Sequence, residues 1–232
     1  MKKVIRYCLA LIGMVVLAAS IYFIVVYPPL MAANASKLMC SCVYVMKRSP
    51  ESVVQKEFKV YPSYLQPLLE KVKIEFPDSN GVTAKIMWAT KKSIYRKGLG
   101  CTLLAERVEE EVRKQNPRIA EPPLINQDSL SWPMGNVNAS VSVPGVDYEK
   151  INQAINEAFE ETDSEKPKNT HAVLILYDGK IVGEKYGEGF NHNSLFMGWS
   201  MTKSITNGIA GVLVKKGKLK LDAPAPVKVW EN

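Results

Sequence analysis

The sequence predicts an α+β fold: an antiparallel sheet with flanking helices, preceded by a transmembrane helix and a small α+β region. Three observations predict it. Residues 8–26 contain no charged side chain and can cross a bilayer as a helix. Residues 70–97 alternate apolar and polar side chains in the way half-buried strands do. Residues 147–217 read as a helix, a tight hairpin and a second helix.

The N-terminal element comes first. Lys2, Lys3 and Arg6 precede the apolar run, which predicts the N-terminus inside and the remainder outside. Tyr22 and Tyr27 suit a membrane interface, and Pro28-Pro29 is expected to stop the helix. The competing reading is a cleaved signal peptide with Ala33-Asn34-Ala35 as its processing site. The run is long for a signal peptide, so an uncleaved anchor over 1–30 is preferred. Both readings export the rest of the chain. The predicted location is the cell inner membrane, single-pass, with a cytoplasmic N-terminus and a periplasmic or extracellular globular part.

The net charge is +7, of which those three basic residues supply three, leaving +4. No dense basic stripe with interleaved aromatics follows, which argues against a nucleic-acid partner. With 47% hydrophobic and 23% charged residues the chain is of globular composition.

Residues 31–116 read as a small α+β region. Val72, Ile74 and Phe76 alternate with Lys73 and Glu75. Asp78-Ser79-Asn80-Gly81 is turn chemistry, and Asn-Gly favours a type I′ hairpin. Val82, Ala84 and Ile86 share one face, and Ser93–Arg96 returns, giving a small meander. Thr102 is then read as capping a helix with Leu104, Val108 and Val112 every four residues, ending at Asn116-Pro117. Cys8 lies in the apolar segment, whereas Cys40, Cys42 and Cys101 lie on the exported side, where disulfides persist. Either Cys40 or Cys42 pairs with Cys101, leaving one over, or all three are buried thiols; the spacing leaves both open. Neither a Cys-x-x-Cys pair nor a nearby histidine suggests a metal site, and no cofactor is expected.

Residues 117–146 hold Pro117, Pro122, Pro123, Pro133 and Pro144 and read as a connector. From 147 onward the pattern sharpens. Asp147 caps a helix with the apolar stripe Tyr148, Ile151, Ile155, Ala158 and Phe159. The run His171–Tyr177 is continuous enough for a central strand, Asp178-Gly179 is a two-residue turn, and Lys180–Tyr186 returns. His171 and His192 are the only histidines, and neither has a convincing partner for a Ser-His-Asp triad.

The chemistry-bearing stretch is Gly198-Trp199-Ser200-Met201-Thr202-Lys203-Ser204. Ser200 and Lys203 stand three apart where a helical pattern of Ile205, Ile209, Val212 and Leu213 begins, so both fall on one face. A helical lysine leans toward the N-terminus, which aims its amine at the Ser200 hydroxyl. A serine needs such an acceptor to act as a nucleophile, and a lysine serves only where burial or nearby cations lower its pKa. The four-residue pattern alone also fits an N-capping serine and a solvated lysine. The preceding hairpin and the apolar helix ending at Gly217 favour the first reading.

With Lys218-Leu219-Lys220-Leu221-Asp222-Ala223-Pro224-Ala225-Pro226, this stretch resembles serine hydrolases of the class C β-lactamase and penicillin-binding protein type, most of all the 6-aminohexanoate-dimer hydrolase branch. The resemblance is strongest over 146–230. It implies that 147–232 is the start of a β-lactamase/transpeptidase-like fold, with Ser200 as nucleophile and Lys203 as base. The substrate would be a small amide, β-lactam or ester. It also implies a Tyr-x-Asn motif and a Lys-Thr-Gly-like strand, and no tyrosine follows Tyr186. The expectation is therefore an incomplete, inactive N-terminal fragment of a membrane-anchored hydrolase. Two alternatives stand beside it: a non-catalytic cell-envelope binding protein on the same scaffold, and a separate interaction domain at 36–116. Oligomeric state is not legible.

Overall fold

The computed structural model describes residues 2–61, 65–115, 125–137, 142–164, 166–225 and 227. The helix stop at Asn116-Pro117, the connector's Pro117, Pro122 and Pro123, the Cys8 side chain, Pro226 and residues 228–232 lie outside the described residues. The chain divides into two compact units, Met1–Leu195 and Phe196–Asn232.

The first unit begins with α1, Lys2–Cys40, which passes into a π-helical turn at Ser41–Val45, and two short helices follow, α2 (Pro50–Lys56) and α3 (Gln66–Leu69). Pro28 and Pro29 lie inside this helix and do not stop it, contrary to the sequence expectation. A proline at 28 removes the amide that would bond the Ile24 carbonyl. The Trp88 indole N–H donates to that carbonyl instead, at 3.2 Å. Tertiary packing sustains the helix beyond the prolines. Met31, Ala32, Ala35, Ser36, Leu38, Met39 and Cys40 are buried, whereas the described apolar side chains from Ile5 to Val25 are exposed. Among the described residues, α1 is the one helix long and apolar enough to cross a membrane, with an 18-residue stretch of mean hydropathy 2.7, none of it buried.

The buried half of α1 lies on a four-stranded antiparallel sheet: β1 (Lys73–Glu75), β2 (Gly81–Ile86), β3 (Ala89–Arg96) and β4 (Gly100–Leu103), in sequence order. Val82 pairs with Ser93 and Gly81 with Ile94, so alternate residues face opposite layers. Val82, Ala84, Ile86 and Ser93 are buried on the α1 side, where Ser93 Oγ lies 3.1 Å from Ser36 Oγ. Ile94 is on the other side, clustered with Leu104 and with Val112 of α4 (Glu109–Lys114). The meander is as the alternation predicts.

Two local expectations fail. Asn80-Gly81 is no type I′ turn: Gly81 already opens β2, and Asp78 Oδ1 accepts from the Asn80 amide at 2.8 Å. A Cβ at Gly81 would lie 3.0 Å from both Asp78 carboxylate oxygens, so crowding explains the glycine. The tight turn falls instead at Met87-Trp88, with Met87 at φ 51°. The predicted helix start at Thr102 is also wrong. Residues 100–103 pair with β3, and the helix begins only at Glu109. A disulfide joins Cys101 to Cys40, Cα to Cα 6.0 Å, and Cys42 is a buried free thiol.

Asp147 caps α5 (Tyr148–Phe159), accepting from the Lys150 amide at 3.1 Å, as expected. The helix lies on the hairpin of β5 (Ala172–Tyr177) and β6 (Lys180–Tyr186). The contact is at backbone distance: a Cβ at Gly183 would sit 2.6 Å from Ile155 Cδ1 and 2.8 Å from Ile151 Cγ2. Asp178 and Gly179 both have positive φ, 48° and 69°, as the Asp-Gly turn predicts. A register shift between Ile175 and Leu176 leaves Val182 as the extra residue. The predicted central strand is not one here. β5 and β6 form a two-stranded sheet, and Leu174, Leu176 and Tyr177 are exposed on it.

The hairpin module is tied to the N-terminal helices by a semi-buried polar cluster. Arg48 pairs with Glu57, their side chains 7% and 17% exposed. Arg48 also lies over the Phe190 ring, centroid 5.6 Å away, and His171 stacks on that ring at 4.5 Å. His171 Nε2 lies 3.7 Å from the Glu57 carboxylate.

Candidate active site

The second unit carries Ser200 and Lys203. Ser200 lies in a 3₁₀ turn, Trp199–Met201, which leads directly into α6, Thr202–Lys215. The turn is fixed by short-range bonds: the Met201 amide donates to the Gly198 carbonyl at 2.8 Å, and Thr202 Oγ1 to the Trp199 carbonyl at 2.7 Å. Trp199 holds φ 42°, a left-handed conformation that bulky residues seldom adopt. Ser200 stands two residues before α6, in the turn that leads into it.

The structure brings the two residues together. Lys203 Nζ donates to Ser200 Oγ at 3.1 Å. That is within reach for transfer of the hydroxyl proton once the amine is neutral. Both side chains are exposed. At about 100° per residue, Lys203 projects from roughly the opposite side of α6 to Ile205, Ile209 and Val212. Those three are also exposed, so the predicted apolar stripe exists but is uncovered. What the second unit supplies is a positioned alcohol–amine pair, both members exposed.

The first unit contains a feature that sequence reasoning missed. On the open face of the β5–β6 hairpin, Leu174, Ile181, Glu184, Tyr186, Trp132 and Phe190 border a groove of about 640 Å³. Its apolar floor follows from the uncovered strand, and the uninterrupted run at 171–177 was the one signal for it. Burial and a hydrogen bond donated to Glu184 push the Tyr186 phenol up to about 12. At that value it is neutral at physiological pH and cannot act as a tyrosinate base. His192 borders the same groove and is exposed, with Asn193 Nδ2 3.0 Å from its Nε2. His171 is half-buried, and desolvation lowers its pKa against the pull of Glu57. Among the described residues, no group of three or more His, Cys, Asp or Glu is placed to hold a metal ion.

No curated protein and no solved structure matches the chain. Residues 155–231, from the end of α5 through the hairpin to Ser200, Lys203 and α6, match the family model described as Beta-lactamase, and the match supports a serine hydrolase-like scaffold of the β-lactamase and penicillin-binding protein superfamily over this stretch.

Proposed function

We propose that the protein is a membrane-anchored serine hydrolase that acts by acyl-enzyme chemistry on a small amide, β-lactam or ester. The observation that carries this reading is the 3.1 Å contact between Lys203 Nζ and Ser200 Oγ inside the segment that matches Beta-lactamase. Ser200 Oγ adds to the substrate carbonyl carbon while its proton passes to the neutral Lys203 amine. The tetrahedral intermediate collapses, the leaving amine or alkoxide takes that proton, and an ester to Ser200 remains. Water then adds to the ester and releases the acid. The Ser200 backbone N–H supplies one oxyanion donor.

By itself the chain is read as inactive, because Ser200 and Lys203 stand in water and α6 presents an uncovered apolar stripe. The anchor reading is supported by α1 itself. Cleavage after Ala35 would remove Met31 and Ala32, which belong to one core cluster with Ile86 and Ala89. Export from the cytoplasm is supported by the Cys40–Cys101 disulfide.

Because the chain by itself is read as inactive, the test is active-site labelling in native membranes of the producing cell, where any completing partner is present, with a fluorophosphonate and a fluorescent penicillin. We expect Ser200→Ala to abolish labelling and Lys203→Met to slow it by about 10²–10⁴-fold. Labelling that survives Ser200→Ala, or no labelling by either probe, overturns the hydrolase reading. The exposure of both side chains favours one second reading, a non-catalytic cell-envelope binding protein on the same scaffold. That reading requires Ser200→Ala to leave the phenotype of the producing cell unchanged.

A further inference from the structure

The Met87-Trp88 turn is built unlike a turn that faces water. Met87 holds φ 51°, where Gly or Asn is the usual choice. Both residues are large, apolar in bulk and exposed, at 63% and 59%. Their position along α1 gives the exposure a meaning. A helix rises about 1.5 Å per residue, so a hydrocarbon core of about 30 Å spans roughly twenty residues, here from Ile5 to about Ile24. Burial of α1 by the sheet starts just above that level, with Pro28, Met31 and Ala32. Trp88 bonds to the Ile24 carbonyl, four residues below the first buried position. The turn therefore reaches down past the base of the folded region to the last turn of the apolar span.

At that level the side chains are those of a membrane interface. Phe23 and Tyr27 stack at 4.3 Å, Tyr22 is exposed, and Trp88 completes an aromatic belt. Between the turn and α1 lies an apolar groove of about 160 Å³, lined by Phe23, Ile24, Tyr27, Pro28, Met31 and Met87 among others. Phe23 and Ile24, which line it, are exposed members of the apolar run, and among the described residues no charged side chain lines it.

We propose that the Met87-Trp88 turn is a second membrane contact, inserted into the leaflet beside the folded domain, with a lipid acyl chain occupying the groove against α1. The domain is then seated on the bilayer rather than held off it on a stalk. This rests on the membrane-anchored reading, and the test separates the two. The full chain is reconstituted into phosphatidylcholine nanodiscs whose acyl chains carry bromine near the headgroup or near the chain end. Wild type is compared with Trp88→Phe, and with a variant that keeps only Trp88 through Trp132→Phe, Trp199→Phe and Trp230→Phe. We expect shallow bromine to quench the Trp88-only variant at least twofold, and Trp88→Phe to remove the quenchable fraction seen in wild type. Protein that stays in the disc with equal quenching in wild type and Trp88→Phe overturns the second contact and leaves the anchor standing. Protein that fails to enter the disc fraction overturns the anchor, and the seated domain with it.

Discussion

Opening the Cys40–Cys101 bridge is the perturbation whose size can be worked most directly from the fold. The two cysteines are 61 residues apart, and the bridge fastens β4 to the buried half of α1. The chain-entropy relation for a loop of that length gives about 4 kcal/mol of stabilisation, and measured values more often fall at about 2–4. With a urea slope of about 2 kcal/mol per molar, Cys101→Ala should lower the unfolding midpoint by about 1–2 M. The assay is urea unfolding of the intact chain in a mild detergent, followed by tryptophan fluorescence with and without reductant. Thiol counting runs alongside. Of four cysteines, the unreduced denatured chain should expose Cys8 and Cys42, and the reduced chain all four. Cys42→Ala is the control and should keep the full response to reductant. If Cys42→Ala abolishes that response, or if reduction leaves the midpoint of the wild type unmoved, the reasoning is refuted.

Three further outcomes are expected. Gly183→Ala places a methyl against Ile155 and Ile151 and should destabilise the first unit by about 1–3 kcal/mol; Ile155→Val should recover part of this in the double variant, by thermal unfolding. Glu57→Ala leaves the buried Arg48 guanidinium without its carboxylate and should cost about 3 kcal/mol, read as a lower urea midpoint. Burial depresses the His171 pKa, so the unfolded chain binds the proton first. Stability from this group is full above about pH 6.5 and lost as pH falls through the lower folded-state value; Arg48, Lys56 and Glu57 are the charges around it. His171→Gln should flatten the midpoint between pH 6.5 and 5, and an unchanged slope would contradict the assignment.

The features legible in the sequence are those a few neighbouring residues decide. Asp178-Gly179 specifies its turn because only such residues take two positive φ angles cheaply. Asp147 caps α5 through its own carboxylate, and the Ser200–Lys203 contact follows from an i, i+3 spacing. What was missed depends on distant partners. Pro28-Pro29 should end a helix, but Trp88, sixty residues away, supplies a donor and the sheet supplies the packing. Leu104, Val108 and Val112 keep helical spacing, yet Gly100–Leu103 is claimed by β3, and Val108 is left exposed. The choice of Cys40 over Cys42 turns on which side of α1 meets β4, which no local spacing encodes.

One helix serves as both stem and wall, and this makes chain length unequal in its effects along α1. An extra residue among 9–20 shifts only side chains that are exposed along the apolar stretch. The same insertion among 30–35 turns every later side chain by about 100° and swings Ser36 and Cys40 off Ser93 and Cys101 together. Drift in the lower portion is thereby tolerated, while the upper portion is locked in phase with strands made some fifty residues later. Such a chain cannot complete its interior until that later stretch has been made, so its earliest synthesised segment waits half-dressed for its partner.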